Sequence, residues 1–426
     1  MDIKEFLRHE VKPAYGCTDP GAVALAAAAA AARLEDEPRS VHLALSANIF
    51  KNGLHVGIPG AQGLTGNLLA AALGVLHGDP DRGLEVLDRI TPQDVDRARV
   101  MVEAGAITQE LVEDVPNVYA RAEVTAPGGS AAAVVSGRPD RVVEVRTGGE
   151  LVWRCEAPGR NGELAPAGYQ EELRELEMGA LWGLVQDMDE GTEDFMLHGA
   201  AMNQAVAEQG LARPWGLGFG HWMAAAGSGR DLLWEIKAHS AAAADVRMAG
   251  GPFPVMSSGG SGNHGITAVV PLSRLAASKG TPRRELAEAL LLSHLVTGYV
   301  KAHTGLLTPV CGCGVAAGLG AAAGMVRLLG GDSAAAERAA AVVLSSVLGM
   351  VCDGAKGSCA LKVSTAAGEA YLAAVLSADG LREWPRQGVV SGSLKQMGRV
   401  VGLLSRSNAA QMESTLLQIL QQPELD

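Results

Sequence analysis

Apolar residues recur at helical spacing along most of this chain and alternate with polar ones in one stretch of its first half. Ile3, Phe6, Leu7 and Val11 share one face, which predicts a short helix over 2–11, ended by Pro13. An alanine-rich helix is predicted from about Pro20 to Arg33, with Thr18 or Asp19 as its cap and Pro20 at its first position. Residues 40–47 alternate and read as a strand. The run N-I-F-K-N-G-L-H-V-G-I-P-G-A-Q-G-L-T-G, 48–66, reads as a loop that must approach something closely. Helices are predicted over 63–76, 82–90 and 92–112. Strands follow over 117–125, 130–137, 141–147 and 150–155, separated by P-G-G, G-R-P-D and G-G-E turns. From about 165 the helical period returns, over 168–188, 193–210, 231–248, 283–302, 312–328, 333–351, 363–377 and 394–420. Two glycine-rich stretches, W-G-L-G-F-G-H-W and G-G-P-F-P-V-M-S-S-G-G-S-G-N-H-G-I, read as loops between them. The expected fold is α+β: a mainly helical catalytic domain, 1–37 and 160–426, with an inserted α+β domain at 38–159.

Composition narrows the class. The 426 residues give room for two or three domains, and an alanine- and glycine-rich, aromatic-poor core predicts closely packed helices. A net charge of -12 argues against nucleic acid and anionic membrane as partners, since both need a basic face. Thr304–Val326 is uncharged and long enough to span a bilayer. Its glycines, its proline and its C-x-C make it a buried helix instead. The acidic, polar start M-D-I-K-E-F-L-R-H-E does not read as a signal peptide. A cytoplasmic protein is expected, and its flat alanine-rich helical surface suits a homodimer.

The cysteines carry the first chemical signal. Four of the six, Cys311, Cys313, Cys352 and Cys359, form a C-x-C and a C-x6-C at the ends of two apolar segments. Helices folding back at Gly330-Gly331-Asp332 bring both pairs to one end. Three or four thiolates there, with Lys356 and Asp353 between the last two, suit zinc or an iron–sulfur cluster. The plain alternative is buried free cysteine. The C-x6-C half does not match zinc-finger spacing. Cys17 stands just before a helix N-terminus, where orphan N–H groups and the helix dipole favour a thiolate. The other reading of Cys17 is a small residue packed at a helix start.

Further candidates lie on the glycine-rich segments. Ser257–Gly265, S-S-G-G-S-G-N-H-G, exposes backbone N–H groups that can cradle a carboxylate, and Ser261, Asn263 and His264 can add side-chain bonds. Asn48, Lys51, Asn52 and His55 occupy the first glycine-rich run. Asp245 and Arg247 follow a long helix, and Lys301 and His303 precede the C-x-C. An Arg suits a substrate carboxylate. Each of these, taken singly, is as readily a solvated side chain or a plain turn.

Together these residues resemble a known family. G-C-T-D-P at 16–20, N-I-F-K-N-G with V-G-I-P-G, D-V-R-M-A-G at 245–250, S-G-G-S-G-N at 258–263, C-G-C-G-V-A-A-G at 311–318 and G-M-V-C-D-G-A-K-G-S-C-A-L-K at 349–362 follow in one order. In that order they resemble the L-cysteine desulfidases, relatives of the iron–sulfur L-serine dehydratase alpha chain. The resemblance implies a [4Fe-4S] cluster held by Cys311, Cys352 and Cys359, with Cys313 the alternative to Cys311, and Cys17 as proton acceptor. It implies a small-molecule amino-acid substrate bound near Lys51, Asn52, Arg247, Ser261, Asn263 and His264. The implied reaction is α,β-elimination of L-cysteine to pyruvate, ammonia and hydrogen sulfide. An L-serine ammonia-lyase, or a non-catalytic iron–sulfur redox sensor, are the alternatives. The chain departs from the family pattern at Asp19 (Glu is usual), His264 (Gln is common), Leu306-Leu307-Thr308 (an Arg and a Ser are typical) and Gly357-Ser358 (for Pro-Gly). These departures bear on the substrate more than on the cluster.

Overall fold

The computed structural model describes residues 1–155, 168–227, 231–407 and 409–422. The expected α+β class is what it shows: one mixed sheet and a larger helical body. The sheet has six strands in the order Ile107–Leu111, Ser40–Leu45, Tyr119–Ala126, Gly129–Ser136, Val142–Thr147, Glu150–Arg154. The first pair is parallel and every other pair antiparallel. Val41 faces Val124, Leu43 faces Ala122 and Leu45 faces Ala120, and all six are buried. The pleat turns their neighbours Arg121 and Glu123 to the other face, where they form an ion pair.

The helices Thr18–Ala31 and Asn67–His77 cover the buried face of this sheet, and Ala22 to Ala30 are all in its core. The alanine-rich helix thus packs with the sheet. Leu417, from the helix Ala409–Leu420, joins the same core. A second, larger core is built by helices Gly262–Lys279, Arg283–Thr304, Leu319–Leu328, Ser333–Val347 and Cys359–Asp379. Their small residues let backbones touch. A Cβ on Gly320 would lie 2.3 Å from the carbonyl oxygen of Ser293.

Several expected elements are redrawn. The stretch 92–112 is a helix only to Glu103, because Gly105 takes φ +70° and the chain returns as the parallel strand at 107–111. The predicted 168–188 helix breaks into Gly168–Glu175 and Met178–Leu184. The predicted 394–420 helix is two, Leu394–Arg406 and Ala409–Leu420. Within the two stretches read as loops lie the helix Phe219–Ala226 and the start of Gly262–Lys279. The C-x-C stretch opens with a π-helical turn at Cys313–Gly318, and the following helix runs to Leu328. The helix expected from 363 begins at Cys359. It is long and apolar enough to cross a membrane by length and composition, but half of its most apolar stretch is buried inside the protein. Thr304–Val326, by contrast, is interrupted at Gly305, which takes φ +81°.

Candidate active site

A short strand pair that the sequence did not reveal builds the first half of the site. Pro13–Tyr15 pairs antiparallel with Pro254–Met256, with Ala14 opposite Val255. This sets the segment leading to Cys17 beside the segment leading to Ser257–His264. Gly16 then turns with φ +68°, and a Cβ there would lie 2.1 Å from Pro59 Cγ, so only glycine lets the 57–60 loop close over Cys17.

Cys17 is the N-cap of Thr18–Ala31; it makes no side-chain cap bond, and Thr18, Asp19 and Pro20 are the first three helical residues. Its thiol donates to Asp19 Oδ2 at 3.8 Å. The same oxygen accepts from Asn52 Nδ2 at 3.1 Å. Burial pushes the Cys17 thiol up to about 12, and the Asp19 carboxylate adds to this, whereas Arg247 opposes it. The expected low thiol pKa is therefore corrected. Desolvation at this buried helix start outweighs the dipole, and the group is a thiol at neutral pH. Burial also lifts Asp19 to about 6, with Asn52 and Arg247 pulling the other way.

Arg247 and Asn263 belong to neighbouring helices, Leu232–Met248 and Gly262–Lys279, and Arg247 Nη1 donates to Asn263 Oδ1 at 3.2 Å. Arg247 is buried, its Nε has no partner, and it forms no ion pair among the described residues. A Cβ on Gly262 would lie 2.2 Å from Arg247 Nε. His264, in the first turn of the same helix, is buried with its Nδ1 unpartnered. Burial and the nearby Lys301 and Arg247 hold it down to about 3, so it is neutral. Its ring lies on the C-x-C: a Cβ on Gly312 would come 2.4 Å from His264 Nε2. Ser261 is the N-cap of this helix and makes no side-chain cap bond. Ser258 of the same loop is fully buried, its hydroxyl paired with His294 Nδ1 at 2.9 Å.

The two segments that carry the cysteine pairs adjoin. Val310 and Val351 form an isolated antiparallel bridge, with Cys311 N bonded to Met350 O at 2.7 Å and Cys352 N to Pro309 O at 2.8 Å. Cys359 opens its helix, its Sγ 3.6 Å from Gly354 O, and it packs against the Cys17–Met248 cluster. Cys311 and Cys313 interact closely, which holds the Cys311 thiol below its ordinary value and pushes Cys313 above it. Burial pushes Cys352 up to about 11 and raises Cys359 as well. Cys17, Cys311, Cys313, Cys352 and Cys359 form no disulfide among the described residues. Among the described residues, no three His, Cys, Asp or Glu side chains converge as ligands of a single metal ion. A cluster needs something different, thiols spread around it and cations nearby to offset its charge. Lys301, buried and lowered to about 8 by that burial, feels Cys352, Cys313 and Cys311, and Lys356 and Lys362 both pair with Asp353. By its chemistry this donor set fits a cluster.

Lys51 departs from expectation. It lies on the short helix Ala47–Asn52, fully buried, with Nζ 2.5 Å from Glu413 Oε2 and 3.1 Å from Cys352 O. Its ammonium is engaged by protein groups, so it holds the site together. Glu413 had no sequence signal, because it arrives from a helix far along the chain. His55 is exposed and lines a cleft of about 560 Å³ with Gln62, Arg213, Trp215, Met248 and Gly357. Met248 and Gly357 separate that cleft from Cys17 and Cys359. The space beside Cys17 itself is about 10 Å³, no more than one water. Asp245 accepts from Gly220 N at 2.8 Å, and His303 bonds the carbonyl of Tyr299, so neither contacts this site.

The family model of the serine dehydratase alpha chain matches residues 81–421. A UPF0597 protein of Nitratidesulfovibrio vulgaris (strain Miyazaki F) is 52% identical, with 99% of each chain covered. One from Desulforapulum autotrophicum is 38% identical over 98% of this chain and 97% of its own. One from Kosmotoga olearia is 36% identical over 98% of each. The chain belongs to the serine dehydratase alpha chain family, alongside relatives that carry the name UPF0597.

Proposed function

We propose that this protein is an iron–sulfur-dependent lyase that eliminates the β-substituent of L-cysteine or a close analogue, yielding pyruvate, ammonia and hydrogen sulfide. One observation carries the reading. A buried thiol, Cys17, is bonded to Asp19, which is bonded in turn to Asn52, and the Oδ1 atoms of both Asp19 and Asn52 are buried with unused bonding capacity, while Cys359 of the thiol set packs against the cluster that holds Cys17. Buried polar atoms without partners are uncommon, and their gathering at one point marks a place for a polar ligand.

Cys311, Cys352 and Cys359 would hold a [4Fe-4S] cluster, with Cys313 supporting Cys311. When bound, such a cluster supplies Lewis acidity toward the leaving group. Cys17 takes the α-proton in its thiolate form, which the nearby Arg247 favours. Arg247, oriented by Asn263, holds the substrate carboxylate, and Ser261 and His264 complete its pocket. Asn52 orients Asp19, and Lys51 fixes the Cys352 backbone. The closed site excludes water from the carbanion-like transition state. Loss of the leaving group gives an aminoacrylate, which hydrolyses to pyruvate and ammonia. A cytoplasmic homodimer is part of the same proposal.

The family description names serine, which favours L-serine as a second substrate, with the hydroxyl leaving from the same site. Anaerobic reconstitution with iron and sulfide tests the cofactor. A brown protein with iron and sulfide in cluster proportion is expected. A colourless protein sinks the reading, and a brown one without turnover of either amino acid leaves only a redox sensor.

A further inference from the structure

A buried carboxylate and a buried guanidinium face the same thiol without pairing with each other. Asp19 is 5% exposed and Arg247 is 3% exposed. Each influences the Cys17 thiol, in opposite directions. Neither belongs to any ion pair among the described residues. Each also keeps one atom free: Asp19 Oδ1 and Arg247 Nε are buried and unpartnered, as is Asn52 Oδ1 beside Asp19. Unpaired charges this deep are costly unless something completes them.

We propose that Asp19 binds the α-ammonium of the amino-acid substrate, so that the zwitterion bridges Asp19 and Arg247 across Cys17. This rests on the lyase reading and names a recognition residue within it. The geometry of an α-carbon supports the choice. Its hydrogen, its ammonium and its carboxylate radiate from one atom. A base that reaches the hydrogen must therefore have the ammonium acceptor close beside it. Asp19 Oδ2 is 3.8 Å from Cys17 Sγ and already fixed by Asn52. This leaves Oδ1 for the ligand, with Asn52 Oδ1 as a second acceptor. Glu413 is the competing carboxylate, but Lys51 holds it at 2.5 Å. An amine-free acid would leave Asp19 buried and unpaired, so the site selects against it.

The test uses the cluster-loaded protein in a Cys17→Ser background, which keeps ligands from turning over. Anaerobic calorimetry compares L-cysteine with 3-mercaptopropionate, and L-serine with 3-hydroxypropionate. The amino acid is expected to bind about 10- to 100-fold more tightly than its amine-free partner. Adding Asp19→Asn should bring that ratio close to one while leaving the amine-free acids unaffected, and Asp19→Glu should keep the ratio. If Asp19→Asn does not fold, Asp19→Ser is read the same way. A ratio that survives in the variants lacking a carboxylate overturns the proposal. So does an equal loss for both members of a pair, or a starting protein that binds neither amino acid or ignores the amine. A ratio that depends on Asp19 in a protein whose wild type releases no pyruvate upholds the proposal and removes the lyase reading alone.

Discussion

Lys51 Nζ lies 2.5 Å from Glu413 Oε2, with both side chains almost fully buried, and this pair ties the C-terminal helix to the helix that carries Asn52. Removing one partner leaves an uncompensated buried charge. Glu413→Ala is expected to destabilise the protein by about 3–5 kcal/mol in urea unfolding. Lys51→Met combined with Glu413→Leu should recover most of that loss. Equal losses in the single and double variants would mean that the helix is held by Leu417 and its neighbours, not by charge.

The thiols divide by role. Cys311→Ser, Cys352→Ser and Cys359→Ser are each expected to lose bound iron and visible absorbance, whereas Cys313→Ser and Cys17→Ser retain both. Cys17→Ser is expected to lower turnover at least about 100-fold. Iron retention in Cys311→Ser with loss in Cys313→Ser would exchange the two assignments.

Gly262 touches Arg247 closely enough that a methyl group cannot fit without moving the guanidinium. Gly262→Ala is expected to raise KM for the amino acid about tenfold or more, with a smaller change in kcat. An unchanged KM would remove Arg247 from carboxylate binding.

Asp245 supplies a pH dependence of stability. Burial lifts its carboxyl from 3.8 to about 7 in the folded protein, against which only the Gly220 N–H pulls. Between those values the folded state holds more protons than the unfolded one, so Asp245 costs stability as pH rises from about 4 to 7. Asp245→Asn keeps an oxygen for Gly220 and removes the titration. From pH 5 to pH 8, urea unfolding should show the wild type losing on the order of 2 kcal/mol relative to the variant. Parallel curves would contradict the assignment.

Much of this was legible in the sequence, and the reasons differ by element. The strands 119–126 and 142–147 were readable because their side chains alternate between a buried face and a wetter one. The helical hairpin between C-x-C and C-x6-C was readable because Gly330-Gly331-Asp332 marks where it closes. The strand pair 13–15 with 254–256 was not readable, since three residues carry no period and their partner lies 240 residues away. The 262–279 helix was hidden by its glycine-rich first turn and by Pro271 within it. The Cys17 pKa was misjudged because local helix geometry favours a thiolate while burial, a tertiary property, opposes it more strongly. Asp19 read as a cap candidate, and nothing in its local sequence marks its carboxylate as buried and half-unpartnered.

The most direct test of the central claim is anaerobic turnover of L-cysteine by the reconstituted protein, with sulfide and pyruvate measured in the same sample. The account predicts both products in equal amounts, with activity lost on exposure to air and absent in Cys17→Ser. Pyruvate from L-serine alone would move the protein to the serine branch of the same chemistry. No pyruvate from either amino acid, in protein that carries its full complement of iron, would contradict the account.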